Sequence, residues 1–189
     1  MSLPIVRAAA ALEQSDDLHV SRLLILLRAA TKSARKPVKP KTVQGIMKLA
    51  KLDFLLRYPN CLERVLKARD LLPEEAKVQE YERNNIETKM IRFRYGPWDD
   101  RYRRWIGLLV ARGLVTTYID KKTIHVGLTE KGEQIADNIG SLEEFFDLEQ
   151  RSQLVVEAVG SLSATKLKDF VYQTFPELIS MRWGEEIKL

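Results

Sequence analysis

The stretch of sequence that decides the fold, residues 95–137, is YGPWDDRYRRWIGLLVARGLVTTYIDKKTIHVGLTEKGEQIAD. A basic helix is predicted from about residue 99 to residue 112, where Gly113 can adopt the left-handed conformation that often ends a helix. Residues 115–120 and 123–128 are rich in Thr, Val, Ile and Tyr, which favours two strands joined by a turn at Lys121 and Lys122. The segment LTEKG at 128–132 then begins another helix.

The spacing of Tyr102, Ile106 and Leu109 places these three side chains on one face of the first helix, which we expect to face the core. A helix, a hairpin and a second helix in this order are typical of a winged helix-turn-helix, which presents one helix and one hairpin to DNA or to a partner protein. We therefore predict a mainly α fold with a small antiparallel β wing, in which C-terminal helices follow a winged helix-turn-helix core. Because this arrangement carries out no bond chemistry by itself, we expect a protein that is not an enzyme.

The flanking sequence predicts helices at about 18–28, 42–58 and 60–69, and an exposed basic loop at 31–41. The helix at 42–58 is apolar around most of its circumference, which predicts burial or docking. At 90–95, Ile91, Phe93 and Tyr95 alternate with Arg92 and Arg94, as in a strand buried on its apolar face. Two more helices are predicted at 142–159 and 164–175. We expect a winged-helix domain at 1–140 with a polar insert near 71–89, and a helical extension with an apolar tail at 141–189.

Composition predicts a soluble protein of the cytoplasm. Apolar residues make up 45% of the 189 residues and charged residues 30%, and no apolar run is long enough to cross a bilayer. The net charge of +5 is unevenly distributed: residues 18–52 contain nine bases and no acid, whereas residues 129–150 contain seven acids and one lysine. This asymmetry is consistent with a positive face for nucleic acid and a negative face for a basic partner, or with two solvated faces.

Few residues point to catalysis or to a metal. The glycines form no phosphate-binding loop, and His19 and His125 lack a second ligand nearby in the sequence. Cys61, the only cysteine, follows the helix-capping Asn60, a position that can lower a thiol pKa. The segment Glu87-Thr88-Lys89 resembles the acid-x-Lys element of metal-dependent nucleases, but no second acid lies in a strand-like run upstream. We predict no catalytic residue, no metal and no cofactor.

The basic residues are better candidates for function, because contact with phosphates needs Lys and Arg on one surface without fixed spacing. Arg101, Arg103 and Arg104 lie on the predicted helix after residue 99, and Asp99 and Asp100 at its start would repel DNA. This favours non-specific contact with double-stranded DNA, or docking on a protein, over base recognition. The full set of predicted DNA-binding residues is Arg101, Arg103, Arg104, Lys121, Lys122, Lys36 and Lys39.

Three segments together resemble the middle component of bacterial ABC three-component systems, including the Lamassu type of anti-phage and anti-plasmid defence. They are KLAKLDFLLRYP at 48–59, YGPW at 95–98 with the helix and wing that follow, and LKDFVYQTFP at 167–176. The resemblance implies a non-catalytic subunit that binds an SMC-like ATPase, with a separate effector, often a nuclease, in the same complex.

On this basis we expect the apolar helix at 42–58 and the apolar tail to dock on the ATPase or the effector. The predicted partner-binding residues are Phe54, Leu56, Phe170, Tyr172, Trp183 and Ile187. The alternative is a free-standing winged-helix transcription regulator, which would need a dimer to bind paired half-sites and could form it through the C-terminal helices.

Overall fold

The structure, a computed structural model, describes residues 15–32, 42–84 and 89–189. Lys36 and Lys39 of the predicted basic loop lie outside the described residues, and so does Glu87 of the nuclease-like segment. Within the described part the protein is mainly helical with small antiparallel sheets.

The two strands of the predicted wing are confirmed at the predicted residues. β4 (Val115–Asp120) pairs with β5 (Thr123–Leu128) in an antiparallel register from Val115 opposite Leu128 to Asp120 opposite Thr123. Lys121 has φ of 55°, as a two-residue hairpin turn requires. The sheet has a third strand, β1 (Val43–Gln44), which pairs with the other edge of β5, so the strand order is β1-β5-β4.

The short strand β1 corrects the predicted start of the helix at 42. Val43 is buried and lies opposite Val126, and Gly45 adopts φ of 99°, a conformation incompatible with a helix. The helix α2 therefore covers Ile46–Arg57. The helix before it, α1 (Asp16–Lys32), is longer than predicted and runs through the middle of the core, because nearly all of its apolar side chains are buried.

The basic helix of the opening stretch, α5 (Tyr102–Ala111), has the predicted core face. Tyr102, Ile106 and Leu109 are buried, and Gly113 has φ of 69°. The N–H of Leu114 donates to the carbonyl of Leu109 at 2.9 Å, which closes the end of the helix as expected. The helix begins three residues later than predicted, after Asp99 and Asp100.

A long segment separates α2 from α5. It contains α3 (Pro59–Ala68), a 3₁₀ helix (Pro73–Ala76), α4 (Glu80–Asn84) and a small hairpin of β2 (Ile91–Phe93) and β3 (Gly96–Trp98). The prediction of a buried apolar face at 90–95 was wrong for Phe93 and Tyr95, which are exposed, and Arg92 is buried instead. Ile91 is partly buried and packs against the core. The reversal arises because C-terminal residues cover Arg92, whose Nε donates to the Leu178 carbonyl at 2.8 Å.

The C-terminal part consists of α6 (Glu130–Gly140), a 3₁₀ helix (Glu143–Phe145), α7 (Phe146–Val155), a π-helical turn (Val156–Gly160), α8 (Ala164–Thr174) and α9 (Glu177–Ser180). Thr129 and Ser163 cap α6 and α8 by accepting from the N–H groups of Gly132 and Lys166. Buried side chains of α1, α2, α7 and α8 belong to one hydrophobic core, which therefore continues across the predicted boundary at residue 140.

The apolar tail is folded onto the body. Ile187 is fully buried, its N–H donates to the Met90 carbonyl at 2.8 Å, and its carbonyl accepts from the Tyr58 hydroxyl at 3.1 Å. Glu186 forms an antiparallel bridge with Ile91, so the tail adds a short extended segment beside β2. Among the described residues, no helix has the length and apolar character needed to cross a membrane.

Candidate partner-docking surface

The outer face of α5 and the tip of the β4–β5 hairpin form one candidate site, which we call the helix–wing surface. Three of the four arginines on α5 and at its two ends, Arg101, Arg104 and Arg112, have ion-pair partners within the chain. Arg101 binds the Asp99 carboxylate at 2.8 Å, and Arg104 forms an ion pair with Asp16 at the start of α1. Arg103 and Arg104 are both exposed. Of the three predicted DNA-binding arginines, Arg103 is the one that makes no ion pair with any described residue. Acids of the same chain therefore neutralise much of the charge expected to contact DNA.

The wing tip combines positive charge with exposed apolar surface. Lys121 and Lys122 are exposed at the turn, as predicted. Two positions before Lys121 and two after Lys122, Ile119 and Ile124 lie opposite each other in the hairpin and remain 71% and 38% exposed. A contact with phosphates gains nothing from two exposed isoleucines, whereas a contact with a protein buries them favourably. The wing tip is therefore better suited to a protein partner than to DNA alone.

β4 also lies at the open edge of the sheet. In an antiparallel ladder the hydrogen-bonded pairs alternate, and the N–H of Thr129 donates to the Leu114 carbonyl at 3.0 Å. Even-numbered residues of this strand therefore bond to β5, and odd-numbered residues direct their N–H and C=O groups outward. These outward residues are Val115, which is buried, and Thr117 and Ile119, which are exposed. Because residues 115–119 contain neither charge nor proline, the usual features that block pairing at a sheet edge are missing here.

A buried ionic network holds the start of α5 against α1 and α2. Asp53 accepts from Arg22 through both carboxylate oxygens, at 2.6 and 3.1 Å, and from the Tyr102 hydroxyl at 2.6 Å. Arg57 contacts Asp53 at 3.9 Å and donates to Asp99 at 3.0 Å. Because every one of these side chains is buried and has a partner, the network fixes how α5 is oriented.

The pKa values of the network follow from these contacts. Burial alone would raise the pKa of Asp53, but the charge and hydrogen bonds of Arg22, together with Arg57 and Tyr102, outweigh it and lower that pKa. Burial also opposes ionisation of Asp99, yet the hydrogen bond from Arg101 and the charge of Arg57 lower its pKa to about 2. Both carboxylates are therefore charged at neutral pH.

The role expected for Asp99 changes with this geometry. Its side chain is buried between two arginines, so the prediction that it would repel DNA at the helix start was wrong for this residue. Asp100 is exposed and accepts a hydrogen bond from Trp98 Nε1 at 2.8 Å. Of the two aspartates at the start of α5, Asp100 is therefore the exposed one.

Part of the uneven charge along the chain forms ion pairs and hydrogen bonds within the protein. Arg28 is buried and pairs with both Asp137 and Glu149, and Lys32 pairs with Asp137 at 2.9 Å. Lys51 is also buried: its ammonium donates to the Met47 carbonyl at 3.0 Å, and burial, with the charge of Lys168, lowers its pKa to about 8. The two segments thus pair with each other at Arg28, Lys32, Asp137 and Glu149, whereas the other five acids of residues 129–150 are exposed.

The predicted partner-binding residues divide into two groups. Phe54 packs against Tyr58 and Phe175, with ring centroids 4.8 and 5.6 Å apart, and Phe54, Leu56 and Ile187 are buried. The prediction that these three bind a partner was wrong, because the folded chain already covers them. Phe170 and Tyr172 are half-buried, and Trp183 is 66% exposed. Only this second group remains accessible.

The histidines and the cysteine are structural. His19 is buried against Trp105 at 4.4 Å between ring centroids, and His125 stacks on Tyr118 at 4.5 Å. Burial raises the pKa of Cys61 to about 12, in contrast to the lowering that its position near a helix start suggested. Within the described ranges, no cluster of three or more His, Cys, Asp or Glu side chains is arranged to hold a metal ion.

Two features of the site were not predicted. Asp53 and Arg57 are an acid and a base four residues apart in a mostly apolar helix. Because such charges are buried when they are paired, this pair was the sequence signal for the buried network. β propensity predicted the two wing strands but did not indicate that Ile119 and Ile124 would be exposed. Comparison with known proteins adds no identification: no family model, no curated protein and no solved structure matches the chain.

Proposed function

We propose that this protein is a non-catalytic winged-helix subunit that docks on a larger partner through the helix–wing surface. The winged-helix assignment is supported by the order α1, β1, α2, α5, β4, β5 and by the strand order β1-β5-β4. In this assignment the 58–101 segment is an insertion between the second and third helices of the motif, α2 and α5. The Asp53–Arg57–Asp99 network connects α2 to the start of α5 across this insertion.

The observation that carries the proposal is the wing tip. Exposed Ile119 and Ile124 lie next to an uncharged open strand edge, while Arg101 and Arg104 of the adjacent helix are paired with acids. An extended segment of a partner can add to β4 through the outward groups of the exposed Thr117 and Ile119, and can cover the isoleucines at the same time. A base-reading helix would instead need its arginines available to the groove.

For the partner we propose the SMC-like ATPase of a bacterial ABC three-component defence complex, because residues 48–59, 95–98 and 167–176 resemble the middle component of such systems. In that complex an effector subunit, possibly a nuclease, is a further partner. We assign the DNA contribution of this chain to Arg103, Lys121 and Lys122, which touch double-stranded DNA non-specifically when the ATPase presents it. The protein acts in the cytoplasm and needs no cofactor.

Two measurements on the purified chain test this proposal against the alternative of a dimeric regulator. Light scattering after size-exclusion chromatography should give a monomer, and the isolated chain should not bind duplex DNA tightly at physiological salt. A dimer that binds a specific duplex would overturn the proposal in favour of a transcription regulator.

The DNA contribution is tested in the assembled complex. Replacement of Arg103, Lys121 and Lys122 by Glu should weaken duplex binding and reduce its salt dependence, while the subunits stay together. Lys166→Glu, an exposed lysine in the first turn of α8, is the matched control. Equal duplex binding by the triple variant and the wild type would remove DNA from the role of this subunit.

A further inference from the structure

Two neighbouring turns expose aromatic and basic side chains outside the helix–wing surface. One is the β2–β3 turn at residues 93–96, and the other covers residues 182–185, where the N–H of Glu185 donates to the Arg182 carbonyl at 3.1 Å. The turns are joined because the N–H of Gly184 donates to the Arg92 carbonyl at 2.7 Å, and the N–H of Arg92 donates to the Glu185 carbonyl at 2.8 Å. We call this unit the two-turn platform.

Each turn presents one exposed ring and one exposed guanidinium. In the first turn Tyr95 is 45% exposed, and the guanidinium of Arg94 lies 5.2 Å from the centre of its ring. In the second turn Trp183 is 66% exposed and follows the exposed Arg182. The flat rings of Tyr95 and Trp183 are therefore accessible to another flat group, with positive charge beside each of them.

The charge of the platform is not balanced by ion pairs. Arg92, Arg94 and Arg182 form no ion pair with a carboxylate among the described residues. The carboxylate of Glu185 accepts from the backbone N–H of Arg182 at 2.8 Å, and Glu186 is paired with Lys89 at 3.1 Å. Among the described residues, none of the three guanidiniums is therefore neutralised by a carboxylate.

The most buried of these guanidiniums also lacks an acidic partner among the described residues. Arg92 is nine-tenths buried, and its hydrogen bonds go to the carbonyls of Leu178 and Phe93 rather than to an acid. Its guanidinium lies 5.3 Å from the ring of Tyr172, whose buried hydroxyl has no hydrogen-bond partner among the described residues. A buried cation beside an unsatisfied hydroxyl is costly unless an anion from outside compensates for it.

We propose that the two-turn platform binds single-stranded nucleic acid. Unpaired bases stack on Tyr95 and Trp183, and phosphates bind Arg94 and Arg182, with Arg92 adding to the positive potential. A duplex keeps its bases inside the helix, so it offers phosphates but no free ring to stack. An acidic peptide offers carboxylates but lacks a series of flat rings. The combination of rings and guanidiniums therefore favours a single strand, beyond the double-stranded contact assigned to the helix–wing surface.

The test is a titration of a fluorescently labelled oligothymidylate of about 15 nucleotides with the full chain, followed by anisotropy at low and physiological salt. We expect saturable binding that weakens as salt increases, with Trp183→Ala and the pair Arg94→Glu and Arg182→Glu each weakening it by about tenfold or more. Lys67→Glu with Lys166→Glu, two exposed lysines outside both surfaces, is the matched charge control and should leave the affinity within about twofold of the wild type. Because Trp183 is exposed whereas Trp98 and Trp105 are buried, quenching of its fluorescence by unlabelled oligonucleotide gives a second readout.

Three outcomes would overturn this proposal. They are no binding at low salt, equal affinity for a duplex of the same length or for polyglutamate, and equal loss of affinity in the charge control and in the platform variants. A duplex or polyglutamate that binds equally well would identify a general anion or protein contact instead. The assay uses the chain without its ATPase partner, so a negative result leaves the proposed docking function unaffected. Failure of the docking function likewise leaves the proposed binding of single strands unaffected.

Discussion

At the scale of single residues, the protein places several charges in its core and uses each differently. Asp53 and Asp99 are surrounded by arginines and connect α1, α2 and the start of α5. Lys51 is equally buried but donates only to a backbone carbonyl of its own helix. The first arrangement stabilises the orientation of α5, whereas the second makes the ammonium of Lys51 a cost to the folded state.

The first prediction concerns acid stability. The pKa of Asp99 falls from an ordinary value of 3.8 in the unfolded chain to about 2 in the folded protein, so the folded state holds its proton less tightly. A depressed carboxylate pKa stabilises the fold above the unfolded value, and this contribution disappears as the pH falls through the folded value. We expect Asp99 to account for a loss of about 2 kcal/mol in the free energy of unfolding between about pH 4 and pH 2.

Urea unfolding at a series of pH values, for the wild type and Asp99→Asn, measures this contribution. The variant should be less stable at pH 7 and should lose less stability between about pH 4 and pH 2. Parallel pH profiles for the two proteins would contradict the assignment of Asp99 to the buried network.

The second prediction concerns Lys51. Burial lowers its pKa from 10.5 to about 8, so below about pH 8 the folded state carries a charge that the unfolded chain holds more easily. For a base with a lowered pKa, stability increases as the pH rises from about 8 to about 10.5. Lys51→Met, of similar length and without charge, should raise the free energy of unfolding at pH 7 by about 1–3 kcal/mol and remove this increase.

Lys166→Met, at an exposed position of α8, is the control for Lys51→Met and should change stability by less than about 0.5 kcal/mol. Chemical unfolding of both variants at pH 7 and above pH 9 compares them directly. A destabilised Lys51→Met variant would mean that the ammonium has an anionic partner that the fold provides.

At the scale of elements, the tail is part of the fold. Ile187 is buried beside Met90 and Tyr58, whereas Trp183, only four residues earlier, projects into solvent. Ile187→Ala should lower the free energy of unfolding by about 2–4 kcal/mol, since it leaves a cavity in the core. Trp183→Ala should change stability by no more than about 0.5 kcal/mol. Thermal or urea unfolding of the pair checks this contrast, and equal losses would show that the tail is not packed as described.

Local patterns predicted the elements whose determinants are close together in the sequence. The wing strands have β-branched residues on both sides of one turn, and α5 has its apolar residues at helical spacing and Gly113 at its end, so both were predicted well. β1 was missed because a two-residue strand has no periodicity, and its partner Val126 lies 83 positions away. Arg92 was predicted to be exposed but is buried, for a related reason, because the residues that cover it belong to the tail.

The candidate site was harder to predict than the fold. Lys121 and Lys122 were placed correctly at the wing tip, because a turn between strands is exposed. The pairing of Arg104 with Asp16 joins residues 88 positions apart, and no local pattern predicts it. The burial of Phe54 was also missed, since an apolar helix surface predicts a contact without indicating whether the same chain or a partner provides it.

At the scale of the whole molecule, the core closes on itself and leaves two distinct surfaces. The helix–wing surface offers apolar residues and an open strand edge, and the two-turn platform offers rings and guanidiniums. Because the chain covers Phe54, Leu56 and Ile187 itself, we propose that a docking partner binds at the wing. This makes the edge of β4 the place where assembly is most sensitive to substitution.

A proline at Thr117 tests this edge selectively. The N–H of Thr117 points away from β5, so proline removes a donor to the partner without removing a hydrogen bond of the β4–β5 ladder. Thr117→Ala keeps the N–H and is the matched control. Ile119→Asp tests the apolar contact of the wing tip independently, since Ile119 is exposed in the isolated chain and its substitution should leave the fold intact.

The most direct test of the central claim is the amount of SMC-like ATPase that co-purifies with the tagged chain from its native host, quantified by mass spectrometry. We expect the wild type and Thr117→Ala to retain the ATPase in a fixed ratio. Thr117→Pro and Ile119→Asp should each retain less of it by about tenfold or more and keep their melting temperature. Equal retention by all four proteins, or a wild-type chain that purifies without any ATPase, would contradict docking through the wing.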